Sequence, residues 1–175
     1  MPEELRQEVS EQNRIRLEKL RALQAEGRDP YRLTRYDQTH RSKEILDNFE
    51  ALDGQTVSIA GRMMSRRVMG KASFAHVLDR DGQIQIYVRR DDVGEEAYKQ
   101  FKDFDLGDVI GVEGVVFRTK MGEVSVHAQK VTLLTKCLHP LPEKFHGLKD
   151  MDTRYRQRYL DMIVNPEVRD TFVKR

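Results

Sequence analysis

At 175 residues, 38% of them hydrophobic and 34% charged, the chain has room for one domain with attached segments, strongly hydrated yet able to build a single core. It has no run of eighteen apolar residues, its charged start MPEELRQEVSEQ lacks a secretory-signal core, and its single cysteine, Cys137, permits no internal disulfide; a membrane-spanning helix is excluded and a reducing, cytoplasmic setting is expected. Lys and Arg (31) nearly balance Asp and Glu (29), so net charge points to no partner; only the acid-free run Arg62, Arg66, Arg67 and Lys71 suggests a phosphate footprint, with a solvated strand face as the alternative.

Residues 2–26 read as a helix. Leu5, Val9, Leu17, Leu20 and Leu23 recur at helical spacing, Gly27 offers a cap and Asp29-Pro30 a stop. Ile15 lies off that stripe, and Arg14, Arg16 and Arg21 are expected on a solvated face or, as the lesser reading, against a nucleic-acid backbone. A second helix is expected over 40–50, capped by Thr39 and packing Ile45, Leu46 and Phe49.

After Gly54 the apolar period changes from 3.6 to 2. Strands are expected from Val57 to Met69, over 71–78 and over 83–90, with turns at Gly70 and at Asp79-Arg80-Asp81-Gly82. A helix follows, with Asp92 and Glu95 as a cap pair and Val93, Ala97, Phe101 and Phe104 as its buried stripe, ending at Leu106-Gly107. Two more strands, 108–118 and 123–135, are joined by Thr119-Lys120-Met121-Gly122; Gly61, Gly111 and Gly114 within strands mark bulges or bends. Three strands, a helix and two strands is the order of a five-stranded oligonucleotide/oligosaccharide-binding (OB) barrel, although another small β+α topology shares it. His139-Pro140-Leu141-Pro142 reads as a linker, residues 153–162 as a helix, and Asn165-Pro166 as the cap and first turn of another. The division expected is a helical segment 1–53, an OB domain 54–137, and a linker with the start of a further domain over 138–175. Because Arg175 falls inside a helix, the chain is expected to be a fragment.

If Ala75, Val77, Ile84 and Ile86 face the barrel interior, Phe74, His76, Gln85 and Tyr87 face outward. A four-residue turn at 79–82 sets Gln85 opposite His76 and about 7–8 Å diagonally from Phe74; a two-residue Asp81-Gly82 turn separates them further. The four-residue turn is preferred. An outward Phe there is a stacking platform for one base, worth roughly 1–3 kcal/mol, whereas a lone Phe is ordinarily core. Gln85 can pair with a Watson–Crick edge, and Arg67 can donate to a base carbonyl or a phosphate. These residues describe a pocket for one splayed-out base, flanked by residues 69–71 and 119–123. Uracil and cytosine are matched by opposite orientations of the Gln85 amide, so the choice between them depends on what holds that amide. No nucleophile–base arrangement, phosphate-cradling glycine loop or metal cluster is present in the sequence.

The stretches GRMMSRRVMGKASF, GQIQIYV, DLGDVIGVEG and LTKCLHPLPEKFHGLKDMDTRYRQRYLD closely resemble class II lysyl-tRNA synthetases of the bacterial type, and NRIRLEKLRAL, DPY and THRSKEI are similar as well. The resemblance implies an N-terminal OB domain that reads the tRNA anticodon, joined to a catalytic domain that uses ATP and Mg2+ to load lysine onto tRNA(Lys), in a homodimeric cytoplasmic enzyme. In the aspartate, asparagine and lysine subgroup an Arg, a Phe and a Gln hold the central anticodon uridine; motif matching places them on Arg67, Phe74 and Gln85. All three specificities share that uridine, so the assignment to lysine rests on the surrounding sequence. Arg62, Arg66, Lys71, His76, Tyr87, Lys120 and Glu123 are candidates for secondary RNA contacts. The resemblance further implies that the catalytic domain lies outside these residues, so no catalytic, metal or cofactor residue is expected here and the chain alone is expected to be inactive. The alternatives are the equivalent domain of an aspartyl- or asparaginyl-tRNA synthetase and a sequence-tolerant single-strand-binding OB protein.

Overall fold

The computed structural model describes residues 3–141, 148 and 150–175, with only the backbone for 3–10. The sequence expectations for Pro2, Pro142 and His146, and for the packing of Leu5 and Val9, lie outside the described residues. The chain forms two compact units, the first ending at Leu138 and the second beginning at His139.

In the first unit, the period-2 stretches form β1 (Thr56–Met69), β2 (Ala72–Leu78), β3 (Gln83–Arg89), β4 (Val109–Arg118) and β5 (Val124–Thr135). They close into a barrel in the order β1-β2-β3-β5-β4, antiparallel throughout except for the parallel β3–β5 pair. Closure gives each strand an inward side, filled by β-branched and aliphatic residues such as Val57, Ile59, Met63, Val77, Ile86, Ile110, Val112 and Val126. This is the five-stranded OB barrel anticipated from the element order. Gly114 sits at the β4–β5 register shift, as a bulge glycine should. Gly111 has a different cause: a Cβ there would lie 2.4–2.9 Å from the ring of Tyr36, so only glycine admits that ring.

The helix between β3 and β4 is two helices, α4 (Arg90–Val93) and α5 (Glu95–Asp103). Gly94, at φ 92°, breaks the run. The cap pair expected of Asp92 and Glu95 does not form, because the Asp92 carboxylate lies 2.7 Å from His127 Nε2. Tyr98 rather than Ala97 completes the buried stripe with Phe101; its hydroxyl shares a 2.8 Å hydrogen bond with Ser73 Oγ and donates to Gly70 O.

Before the barrel run α1 (Glu3–Ala25), α2 (Ser42–Asp47) and α3 (Phe49–Leu52). Leu20 is buried, while Ile15 and also Leu17 are exposed, so the apolar stripe of α1 is only partly used. Polar contacts do the rest. Arg16 donates to Leu106 O (3.1 Å) and Cys137 O (2.9 Å), and Lys19 donates to Asp103 O and Asp105 Oδ1. Arg16 is therefore an anchor of α1 and not a solvated or RNA-facing residue. Thr39 does not cap α2: it pairs with Ser58 of β1, its Oγ1 accepting from Ser58 N at 2.8 Å. The carboxylate of Asp79 in the β2–β3 turn takes that role, accepting from Ser42 N (2.6 Å) and Ser42 Oγ (2.7 Å). Leu46 is exposed, unlike Ile45 and Phe49.

The second unit contains α6 (Met151–Arg156), α7 (Arg158–Val164) and α8 (Pro166–Lys174). The single helix expected over 153–162 is interrupted at Gln157, and the first piece starts on an Asp150 cap whose carboxylate accepts from Thr153 N at 2.9 Å. Asn165 occupies the N-cap position of α8 and Pro166 its first turn, as anticipated, but the Asn165 side chain makes no capping bond; its amide donates to Asp161 Oδ1. Burial pushes the Asp161 carboxyl up, and the hydrogen bonds from Asn165 and Arg154 outweigh it, so its pKa is lowered.

The end of β5 is tied to the barrel through a buried ion cluster. Lys136 is 3% exposed and Asp108 fully buried; Lys136 Nζ contacts both Asp108 oxygens (2.7 and 3.0 Å) and Asp105 Oδ2. Removing one partner of a buried pair strands the other charge, so Lys136→Met is expected to cost about 3–5 kcal/mol in urea unfolding.

Two carboxylates also make the fold acid-sensitive. At Asp105, burial raises the pKa but hydrogen bonds and charge from Lys136 and Lys19 lower it further. At Asp79, burial is likewise outweighed, by hydrogen bonds from Ser42, Asp81 and Gly82. Both folded-state pKa values lie below the unfolded value, so their stabilisation is present above pH of about 4 and is lost as pH falls through the folded values. Urea midpoints for the wild type are expected to drop below that pH, with a shallower acid slope in Asp105→Asn.

Candidate nucleic-acid interface

The four-residue turn is the one present: Asp79 N donates to Gly82 O at 2.9 Å. It sets His76 opposite Gln85 and Phe74 opposite Tyr87. Extended across the neighbouring strands, this register arranges the outward side chains of β1, β2, β3 and β5 in two rows. One row runs Arg67–Phe74–Tyr87–His127, the other Ser65–His76–Gln85–Ser125. Their inward neighbours Ala75, Val77, Ile84 and Ile86 are buried, whereas Phe74, His76, Gln85 and Tyr87 are each half-buried. Phe74 is thus an outward ring and not core.

The first row is largely aromatic. The Phe74 and Tyr87 centroids lie 4.9 Å apart at a 36° tilt, so Phe74 is braced along one edge. Arg67, directly across from Phe74, is exposed and engaged in no side-chain hydrogen bond or ion pair among the described residues. The basic run of the sequence divides here. Arg62 donates to Gly107 O (2.6 Å), and Arg66 donates to Phe101 O (2.9 Å) and Phe104 O (2.6 Å) at the C-terminal end of α5. A guanidinium on those carbonyls complements the negative end of the helix. Arg62 and Arg66 thus each commit a guanidinium nitrogen to holding the fold, unlike Arg67. Lys71 and Lys120 stay exposed, on the β1–β2 and β4–β5 loops respectively.

The second row is a hydrogen-bonded chain. Ser65 Oγ meets His76 Nδ1 at 2.9 Å, His76 Nε2 meets Glu123 Oε1 at 3.2 Å, Gln85 Nε2 donates to Glu123 Oε2 at 2.7 Å, and Ser125 Oγ donates to Gln85 Oε1 at 2.9 Å. A carboxylate only accepts, so Glu123 forces the nitrogen of the Gln85 amide toward itself and the oxygen toward Ser125. Turning the amide over would set oxygen against oxygen. Glu123 is itself placed by the loop, where its backbone N–H donates to Thr119 Oγ1. After these bonds the Gln85 amide retains one N–H and one lone pair, in fixed positions, for a ligand.

Sequence reasoning reached Arg67, Phe74, Gln85 and the flanking loops, and the structure brings them together on one face. It missed Ser125, Ser65 and the outward Phe117 and His127. Ser125 reaches Gln85 through the parallel β3–β5 pairing, for which no local turn signal exists. Among the described residues no group of three or more His, Cys, Asp or Glu could hold a metal ion, and no helix is long and apolar enough to cross a membrane.

Residues 57–134 match the tRNA anticodon family, an OB-fold nucleic acid binding domain. The chain is 53% identical over 169 residues to a lysine–tRNA ligase of Clostridium botulinum (strain Langeland), covering 97% of this chain and 34% of the relative. It is 54% identical over 162 residues to that of Clostridium kluyveri (93% and 32%) and 53% identical over 172 residues to that of Clostridium perfringens (strain ATCC 13124; 98% and 34%). The chain therefore spans about a third of the length of the relatives it matches. The closed OB barrel and 53% identity along nearly the whole chain support these residues being the counterpart of the anticodon-binding region of lysyl-tRNA synthetases.

Proposed function

We propose that this chain binds the anticodon of tRNA(Lys) by seating the extruded central uridine on Phe74, with Gln85 and Arg67 reading its edge. The observation that carries this reading is an outward aromatic ring one diagonal step from an amide whose orientation is set by Glu123, with Ser125 on its oxygen. The Watson–Crick edge of uracil runs acceptor, donor, acceptor. N3–H meets the free lone pair of Gln85 Oε1, one carbonyl takes the remaining Gln85 N–H, and the other is left for Arg67, which can only donate. Cytosine presents an acceptor at N3 and an amino group beside it, so in the same pose it sets like against like. Lys71 and Lys120 supply salt-sensitive backbone attraction on either side.

In the full-length synthetase this recognition serves the ATP- and Mg2+-dependent loading of lysine onto tRNA, in a cytoplasmic homodimer. No residue of this chain is assigned to ATP, magnesium, lysine or the dimer contact. The identity to lysine–tRNA ligases favours lysine over the aspartate and asparagine relatives that share a central U.

Binding of anticodon stem-loops that differ only at the central base tests the reading. U is expected to exceed C by about 1–3 kcal/mol, the worth of one bidentate base contact. Phe74→Ala is expected to weaken all stem-loops by a similar amount, and Gln85→Ala to remove the U preference. Equal binding of U and C by the wild type, with no effect of either substitution, contradicts it. Glu123→Gln gives a sharper expectation: a neutral amide can accept or donate, so Gln85 becomes free to turn over. The U-to-C ratio is then expected to collapse while affinity for the C stem-loop holds or rises.

A further inference from the structure

Resting on the reading of the central base by Gln85, we propose that His76 is a positioning residue for base selection, which touches no nucleotide and instead clamps the Glu123 carboxylate against the Gln85 amide. Both ring nitrogens are committed to protein partners, Nδ1 to Ser65 Oγ at 2.9 Å and Nε2 to Glu123 Oε1 at 3.2 Å. Glu123 only accepts, so Nε2 carries a proton, and Nδ1 of the neutral ring accepts from the Ser65 hydroxyl. No polar edge of the ring is left over for a base.

The clamp matters because of where Glu123 stands. It belongs to the loop just before β5, and its side chain is 49% exposed. A glutamate in that setting keeps much of its rotamer freedom, and every turn toward water releases the amide it was holding. A second donor removes that freedom. Gln85 Nε2 takes Oε2 at 2.7 Å while His76 takes Oε1, so the carboxylate is spanned between two side chains that stand opposite each other in the β2–β3 pairing.

The backbone of β1 is bent to complete the clamp. Its pairing with β2 runs Met63–Val77 and then Ser65–His76, so Met64 is accommodated as an extra residue in a β-bulge. Uninterrupted pairing would set Met64 opposite His76 and Arg66 opposite Phe74, and would turn Ser65 and Arg67 toward the interior. A hydrocarbon across from the ring would leave Nδ1 without a donor. One bulge therefore brings a hydroxyl to His76 and a guanidinium to Phe74 together.

Titrations of the 175-residue chain with anticodon stem-loops carrying U or C at the central position, together with the amide NMR spectrum of the ligand-free chain, test the role. His76→Leu keeps apolar bulk and removes both polar contacts. The U-to-C affinity ratio is expected to fall about fivefold, the worth of one hydrogen bond, with affinity for the C stem-loop unchanged or raised. In the free chain the side-chain N–H signals of Gln85, identified by their loss in Gln85→Met, are expected to move toward the positions of a water-exposed amide. His76→Gln, which keeps a donor within reach of Glu123, is expected to restore both readouts. An unchanged ratio overturns the role, and so does equal weakening of U and C in His76→Leu, which makes the ring a direct RNA contact or a determinant of the fold. Unmoved Gln85 signals overturn it as well, as does His76→Gln behaving like His76→Leu. Absence of a U preference in the wild type is a separate result: it removes the seating of uridine, while the Gln85 signals in His76→Leu still decide whether His76 holds Glu123.

Discussion

The outward face that carries Phe74 and Gln85 depends on one carboxylate that does not belong to it. Asp79 closes the β2–β3 turn: its Oδ1 accepts from Asp81 N (2.8 Å), Gly82 N (2.9 Å) and Ser42 Oγ, and its Oδ2 accepts from Ser42 N. These bonds specify a four-residue turn and with it the pairing of β2 with β3. A one-residue slip turns a whole strand inside out, burying Gln85 and exposing Ile86. A two-residue slip preserves the inside–outside pattern yet carries Gln85 away from Phe74. Only the second error is invisible to the core, so the hydrophobic pattern alone could not protect the site. Asp79 also caps α2, tying the helix before the barrel to the same turn.

Above that register, the division of labour between the two outward rows is physical. A ring needs a flat exposed surface and lateral bracing, and Phe74 obtains bracing from Tyr87 one strand over. An amide needs both ends specified, because it is nearly symmetric in shape and antisymmetric in hydrogen bonding. Glu123, which can only accept, specifies the orientation from a loop, and Ser125 completes the pairing from a strand brought in by the parallel closure of β3 on β5. The barrel is therefore more than a carrier: closing it delivers the residues that hold the Gln85 amide in one orientation.

Much of this was legible in the residues. Alternation in β2 and β3 placed Phe74 and Gln85 outward, and the Asp79–Gly82 composition gave the right turn. Features arising from non-local contacts were hidden. Arg62 and Arg66 look like the neighbouring Arg67 in sequence, and only the fold sets their guanidiniums on the carbonyls of Gly107, Phe101 and Phe104. Arg16 looks like any solvated helix residue until Leu106 and Cys137 come beneath it. Gly111 reads as a bulge, yet a Tyr36 ring from 75 positions earlier is what excludes a side chain there. Helix interiors misled for a local reason: Gly94 at positive φ and Gln157 each end a turn that apolar spacing alone would continue.

The most direct measurement of the central claim is a photochemical one. A stem-loop with 5-iodouridine at the central anticodon position, irradiated in complex with the chain and mapped by mass spectrometry, reports which side chain the extruded base lies against. Attachment at Phe74 is the expected result. Attachment to α1, to the second unit, or anywhere off the β2–β3 face, with Phe74 unmodified, would contradict it.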